Sequence, residues 1–178
     1  MREMIVSPPR TIMEVFKMLP EGTLAEVIEN TLYMSPTPTT KHQRIVTRLL
    51  AGIHEHVSRR NLGEVFTAPF DVFLDENSNA VQPVILFIAR ENFQILNETE
   101  SVHGVPDLVI EILSPGNKKH DQVIKKNLYE KFGVKEYWIV DPETGEAVGY
   151  WLNKNKFEEP VIEKEKVVSK LLNTTFPF

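Results

Sequence analysis

The chain has 178 residues, no cysteine and a formal net charge of -5, and 42% of its residues are hydrophobic. This length and composition are typical of one compact domain and argue against extensive disorder. The absence of cysteine excludes a zinc finger, a disulfide framework and a papain-like mechanism. The negative charge argues against a non-specific DNA coat protein, but it is compatible with an enzyme that acts on nucleic acid.

The sequence carries no indication of a membrane or secreted protein. No segment approaches the ~20 apolar residues that a membrane helix needs. Residues 1–9 lack the long apolar run of a secretory signal. We therefore expect a soluble cytoplasmic protein.

The first part of the chain predicts a short helix and a hairpin. Residues 11–19 suit a short helix that Thr11 caps. Extended segments are predicted at 24–28 and 31–35, and residues 29–30 between them suit a tight turn because asparagine tolerates positive φ.

A long helix is predicted over residues 40–60. Thr40 and Gln43 have the spacing of a capping box at its start. Apolar side chains then recur at helical spacing: Ile45, Val46, Leu49, Leu50, Ile53 and Val57.

The remaining chain is rich in predicted strands. Residues 105–113 are nearly continuously apolar, which indicates a central strand covered on both faces. A turn at 115–117 and a helix over 118–132 follow, with Gly133 as the C-cap. Further strands are predicted at 64–74, 81–88, 136–141, 146–152 and 156–163. The order of elements predicts an α/β (α+β) domain with a central sheet flanked by helices.

Glu111 lies within this apolar strand. An unpaired carboxylate in such a place would cost several kcal/mol. Protonation, a cationic partner or a metal ion would remove that cost. A structural ion pair and a functional site both meet the requirement, so the residues alone leave both interpretations open.

Asp107 precedes Glu111 by four residues and lies on the same face of the predicted strand. A rise of ~3.3 Å per residue separates the two Cα atoms by ~13 Å, so a straight strand cannot bring both to one metal ion. Asp107 is therefore either a metal ligand in its own right or a cap for backbone amides at the strand entrance.

Asp121, Lys125 and Tyr129 share one stripe of the second predicted helix. One interpretation is a solvated salt bridge, which contributes little. The other is that Lys125 projects toward Glu111, where a lysine stabilises charge that builds on a phosphate. Lys126 takes that role if the helical phase differs by one residue.

His42 falls in the first turn of the long helix, in phase with its apolar face. A histidine there is either packed or capping, or it is a ligand. The sequence contains no phosphate-binding loop, dinucleotide fingerprint, GxSxG or HExxH motif.

Residues 105–115, the stripe of Asp121, Lys125 and Tyr129, and residues 133–142 are together similar to the Uma-two family. Its members are restriction-endonuclease-like proteins of the PD-(D/E)XK nuclease superfamily. The N-terminal part resembles the family less closely. Glu26 with the two residues after it matches a "YELI" segment, and 34–36 with His42 match an "MSP…H" stretch.

The resemblance implies a restriction-endonuclease-like fold, with a mixed central sheet flanked by helices, an N-terminal β-hairpin and C-terminal β-strands. It covers about 14–152, and we expect residues 1–178 to form a single nuclease-like domain around that core.

The resemblance also implies a divalent-metal site for Mg²⁺, with Mn²⁺ as a substitute. Glu111 takes the place of the acidic residue of the "(D/E)XK" element. Leu113 stands where the lysine is expected, and Lys125 matches the lysine that the family supplies from the next helix. Glu26 and His42 fill positions that line the same pocket. The expected catalytic residues are thus Glu111, Lys125, Glu26 and His42, and the expected metal ligands are Glu111 and Asp107.

One position departs from the family. Where the family reads "VQPD", residues 81–84 read Val-Gln-Pro-Val, so Val84 replaces the metal-binding aspartate. A hydrocarbon cannot ligate Mg²⁺, which depends on few carboxylates. Asp71 and Asp75 lie on or beside the preceding strand and are candidates to replace it.

Three functions follow from these observations. The first is a Mg²⁺-dependent endonuclease that hydrolyses DNA phosphodiesters, acting as a homodimer because nucleases that cut duplexes often pair. The second is a degenerate relative that binds nucleic acid or a protein partner without cutting. The third is a structural or regulatory dimer unrelated to nucleic acid.

Overall fold

The computed structural model describes residues 8–97, 99, 101–114 and 120–178, with side chains from residue 122 onward in the last range. The predicted turn at 115–117 lies outside these residues. Three α-helices form in the described chain: α1 (Ile12–Lys17), α2 (Thr40–Arg60) and α3 (Lys126–Phe132). A 3₁₀ segment occupies Arg90–Ile95, and a π-helical segment at His120–Lys125 leads into α3.

The strands fall into two larger sheets and one hairpin. In chain order they are β1 (Ala25–Ile28), β2 (Thr31–Met34), β3 (Gly63–Thr67), β4 (Val72–Asp75), β5 (Asn79–Val81), β6 (Ile85–Ala89), β7 (Val102–His103), β8 (Leu108–Ile112), β9 (Glu136–Asp141), β10 (Glu146–Asn153), β11 (Lys156–Phe157), β12 (Val161–Lys164), β13 (Lys166–Ser169) and β14 (Thr174–Pro177).

The central sheet has the order β11-β10-β9-β8-β6-β3, with β12 also paired to β10. Strands β8 and β9 are parallel, whereas β6 is antiparallel to β8, so the sheet is mixed as expected. A second sheet has the order β2-β1-β5-β4-β7, and β13 pairs with β14. The predicted fold class is confirmed.

The N-terminal helix and hairpin form where their capping and turn residues predict them. The Thr11 hydroxyl accepts a hydrogen bond from the Glu14 amide and caps α1. Residues 29–30 have φ of 48° and 60°, the left-handed turn that joins β1 to β2. The capping prediction for α2 is wrong by one residue. Thr39, which is still extended, caps the helix by accepting from the His42 amide at 3.3 Å, whereas Thr40 is already helical.

Two predicted strands are each divided between the sheets. The segment at 64–74 splits into β3 of the central sheet and β4 of the second, with a cis Ala68–Pro69 bond between them. The segment at 81–88 splits into β5 and β6 around Pro83, which has no N–H to donate to a ladder. The chain therefore crosses between the sheets at two neighbouring places, and the cavity described below lies beside them.

Further differences lie at the C-terminal end. The segment predicted at 156–163 divides into β11 and β12, and the β13–β14 hairpin is absent from the prediction. The hairpin packs beside α2, and Phe176 on β14 belongs to the same core as the apolar face of that helix.

The core lies on both faces of the central sheet. On one face, Leu49 and Ile53 of α2 are fully buried with Ile110 of β8. On the other face, Val109 packs with Leu128 of α3. Strand β8 is thus covered on both sides, as its apolar run predicts. Each such aliphatic side chain contributes roughly 1.5–3 kcal/mol by burial. None of the helices in the described ranges has the length and apolarity needed to cross a bilayer.

Candidate active site

A cavity of about 310 Å³ lies beside the two crossings and against the first turn of α2. Four residues that the sequence singled out line it: Glu26, His42, Glu111 and Lys125. Its walls are otherwise largely apolar, from Leu24, Pro36, Pro38, Val46, Pro69, Val84 and Ile112. The structure therefore brings the predicted catalytic set together.

Lys125 connects the two buried glutamates. Its Nζ lies 2.8 Å from Oε1 of Glu111 and 2.8 Å from Oε1 of Glu26. All three side chains are at most 5% exposed. A cation therefore compensates the buried Glu111 carboxylate, as its surroundings require.

The helical phase selects Lys125 over its neighbour. Lys126 lies on the other side of the turn, with Nζ 5.2 Å from the centre of the Tyr150 ring. The π-helical segment ends at Lys125 and joins α3 there. Asp121, the first member of the predicted stripe, has its side chain outside the described residues.

Tyr129 completes the surroundings of Glu111. Its hydroxyl donates to Oε1 of Glu111 at 2.9 Å from one turn beyond Lys125. Burial raises the pKa of Tyr129 well above its ordinary value, and the charges of Glu111 and Glu26 raise it further. The phenol therefore stays a neutral donor. The i, i+4 spacing with Lys125 was the sequence signal for it.

Gln82 is a site residue that the sequence reasoning missed. Its backbone N–H donates to Oε1 of Glu26 at 2.8 Å. Its side-chain amide donates to Oδ1 of Asp71 at 2.8 Å and to the Thr23 carbonyl at 3.1 Å. Gln82 thereby fixes β1 against the segment that enters β6. A polar residue between two apolar strands was the available signal.

Val84 stands beside Glu111, where the resemblance places the missing aspartate. Its backbone N–H donates to Oε2 of Glu111 at 3.4 Å, and its side chain lines the cavity. The side chain at this position therefore contributes only hydrocarbon to the cavity beside Glu111.

The residues present do not fit a magnesium ion. Both carboxylates share Lys125, and the described part of the chain holds no group of three or more His, Asp or Glu side chains that could bind a metal. Asp71 accepts from Gln82 and lines a different cavity. Asp75 accepts from the Asn77 and Ser78 amides in a turn. Neither aspartate therefore supplies the oxygen ligand that the valine at position 84 lacks.

His42 lines the cavity and has one buried polar atom. Among the described residues its Nδ1 has no hydrogen-bond partner. Burial lowers the pKa of His42, and a hydrogen bond with the backbone of Ile112 partly opposes that shift. The ring is therefore neutral near pH 7.

Asp107 is not brought to the cavity. Its Oδ2 accepts from the Ala89 amide at 2.8 Å and from Nδ2 of Asn92 at 3.1 Å. Its Oδ1 lies 2.7 Å from Nζ of Lys135. Of the two roles considered for it, the capping of backbone amides is the one that these contacts describe.

The fold of the chain is shared with a solved structure. The crystal structure of a putative nuclease belonging to DUF820 from Anabaena variabilis ATCC 29413 superposes with a TM-score of 0.76. The two chains are 20% identical, and the match covers 93% of this chain and 92% of the other.

The chain belongs to the Uma2 family, described as "Putative restriction endonuclease", whose model matches residues 13–176. This confirms the resemblance found in the sequence. The match extends beyond the expected core end at residue 152 and includes the β13–β14 hairpin. No curated protein matches the chain significantly.

Proposed function

We propose that the protein is a DNA phosphodiesterase of the nuclease fold whose metal-dependent cleavage is impaired by the valine at position 84. Membership of the Uma2 family supports the reaction class. The proposed impairment of cleavage is supported by the contact between the Val84 amide and Glu111, because this contact places the valine side chain beside the acidic residue of the site.

The remaining site residues keep an arrangement suited to phosphate chemistry. Glu111 is held by Lys125 and Tyr129, and the cavity admits a group of modest size. An ammonium in a low-dielectric site stabilises charge that develops on a phosphoryl group. Here two carboxylates engage that ammonium, so the charge available to a phosphate is reduced.

The closed ion triad also favours a second candidate function. A degenerate nuclease-fold protein would bind nucleic acid or a protein partner and leave the bond intact. In the group of Glu26, Glu111 and Lys125, the lysine contacts both carboxyl groups, which is a structural arrangement as well as a chemical one.

Substitution of Val84 by aspartate separates these functions. We expect Val84→Asp to bind Mn²⁺ or Mg²⁺ in calorimetric titration and to cleave plasmid DNA with metal, since carboxylate oxygens are what these ions prefer. Val84→Asn is the matched control, because it has the same shape without the charge. Parent protein that cleaves DNA as fast as Val84→Asp would contradict the impairment.

DNA binding has its own measurement. Gel shifts of the parent on duplex DNA are expected at low salt and should weaken as salt rises, because phosphate contacts release counterions. The absence of any shift at low salt would favour a protein partner instead. A homodimer remains a prediction, which sedimentation velocity tests on the same samples.

A further inference from the structure

A second group of reactive side chains lies in the other large sheet. Oγ of Ser101 lies 3.0 Å from Nε2 of His103, and Nδ1 of that ring lies 2.5 Å from Oε1 of Glu76. This is the order of contacts of a Ser–His–acid triad, in which a carboxylate orients the base and the base contacts the nucleophile.

The hydrogen bonds define the chemical state of the group. The hydrogen bond from His103 is the largest cause that lowers the pKa of Glu76, and Lys17 lowers it further, so the carboxylate of Glu76 is an acceptor at neutral pH. The carboxylate therefore takes the Nδ1–H of His103. In the neutral ring, Nε2 is then left to accept the proton of the Ser101 hydroxyl.

The backbone holds the three residues from two directions. Ser101 and His103 are two positions apart, so they project from the same side of an extended chain. His103 pairs with Phe73 of β4 and stacks on its ring at 5.0 Å. Glu76 lies in the turn between β4 and β5, which Asp75 closes by accepting from backbone amides.

Ser101 and His103 line a cavity of about 410 Å³, separate from the active-site cavity except for a shared Gln82. Its wall is apolar at Phe16, Leu19, Pro20 and Phe73. Lys17 also lines it, with Nζ 3.6 Å from Oε2 of Glu76, and places a positive charge near the group. The cavity thus offers an apolar wall for an acyl chain beside a nucleophile and a cation, and the side chains of Glu21 and Asp71 line another part of it.

We propose that Ser101, His103 and Glu76 form an acyl-transfer site that hydrolyses small carboxylic esters. Oγ of Ser101 attacks the ester carbonyl while its proton passes to Nε2 of His103. The C–O bond to the alcohol breaks, and the alcohol leaves with that proton. Water then attacks the acyl-serine through His103, which releases the carboxylic acid and restores the serine hydroxyl.

Covalent labelling and turnover test this site together. A fluorophosphonate probe is expected to label Ser101, identified by peptide mass spectrometry, and p-nitrophenyl acetate is expected to be hydrolysed. Ser101→Ala should remove the labelled peptide and lower kcat/KM about 10²-fold. Ser58→Ala is the matched control, because Oγ of Ser58 lies 3.5 Å from Nε2 of His54 on an exposed helix face.

Three variants at His103 and Glu76 separate a chemical role from a structural one. His103→Phe keeps a ring against Phe73 but removes the base, so it should match Ser101→Ala in activity at an unchanged melting temperature. Glu76→Gln should lower kcat more than it changes KM, and Glu76→Asp should restore part of the loss. An unlabelled Ser101, or a Ser101→Ala protein as active as the parent, overturns the proposal.

The test of ester hydrolysis at Ser101 is independent of the nuclease proposal. Glu111→Gln leaves Ser101 and His103 untouched and should hydrolyse p-nitrophenyl acetate at the parental rate. Ser101→Ala should leave any cleavage by Val84→Asp unchanged. Loss of ester hydrolysis in Glu111→Gln would place that reaction in the nuclease cavity and overturn the assignment to Ser101.

Discussion

The two ends of strand β8 each bury one acidic residue beside one lysine, yet they differ in what surrounds the acid. Asp107 is 2% exposed and accepts from a backbone amide and from the side chain of Asn92. Glu111 is also 2% exposed, but Lys125 and Tyr129 donate to it through side chains at the edge of a cavity.

The comparison of Asp107 with Glu111 shows which features indicate that a buried acid is functional. Burial and a cationic neighbour are common to both, so neither identifies a functional site. The lysine at Asp107 is 53% exposed, whereas the one at Glu111 is 5% exposed. Each acid accepts from a backbone amide and from side chains, so the kind of donor does not separate them either. Glu111 differs because it lines the cavity, which makes it available for chemistry.

Removal of the two lysines gives the largest expected contrast. Lys125→Met leaves Glu26 and Glu111 buried without their cation, so the free energy of unfolding should fall by about 3–5 kcal/mol. Lys135→Met removes a half-exposed partner and should cost about 0–1 kcal/mol. Urea titrations of both variants measure the difference. Equal losses would show that the Glu111 end is no more dependent on its lysine than the Asp107 end.

Activity should separate the two acids next. In the Val84→Asp background, Glu111→Gln is expected to lower metal-dependent cleavage about 10²-fold or more, since a metal site contributes several kcal/mol of charge stabilisation. Asp107→Asn in the same background should leave cleavage unchanged. Plasmid nicking rates at fixed Mn²⁺ measure both. A comparable loss in Asp107→Asn would give Asp107 the metal-binding role considered from the sequence.

Asp107 should matter for the free energy of unfolding, although it should not matter for cleavage. Asp107→Ala leaves the buried Ala89 N–H without its acceptor, which should lower the free energy of unfolding by about 1–3 kcal/mol. Asn92→Ala is the control, because it removes the other donor to the same oxygen, together with a donor to the Val105 carbonyl, but keeps the acceptor of the Ala89 N–H. A loss that is no larger for Asp107→Ala than for Asn92→Ala would contradict the capping role.

The smallest effect concerns the pH dependence of stability near the cavity. Burial lowers the pKa of His42 from its ordinary value of 6.5, so below that pH the unfolded chain binds more protons than the native one. His42 should therefore destabilise the fold as pH falls through about 6.5. Chemical denaturation of the parent and His42→Gln at several pH values should show a shallower decline in the variant, and identical slopes would exclude this contribution.

The sequence was most informative where one residue made a local demand. An acid within a continuous apolar run requires a cation, and helical spacing placed Lys125 within reach of Glu111. The division of the predicted strands at 64–74 and 81–88 between the two larger sheets was not predictable in this way. Apolar patterning around Pro69 and Pro83 identifies extended chain, but the choice of sheet depends on partners far along the chain.

The Ser101 group shows the same limit more clearly. The sequence does not identify Glu76 as the carboxylate that His103 contacts, because Glu76 comes from a turn 27 residues earlier. Only the parallel pairing of β7 with β4 brings the two together. Contacts that depend on such pairings need the tertiary structure.

The contact between position 84 and Glu111 is made by the main chain, so it persists whichever side chain the position carries. Every valine codon differs from a codon for aspartate or glutamate by a single base. Under the proposed function, cleavage and its impairment are therefore separated by a single base change on the same fold, and a population of such genes could pass from one to the other in one mutational step.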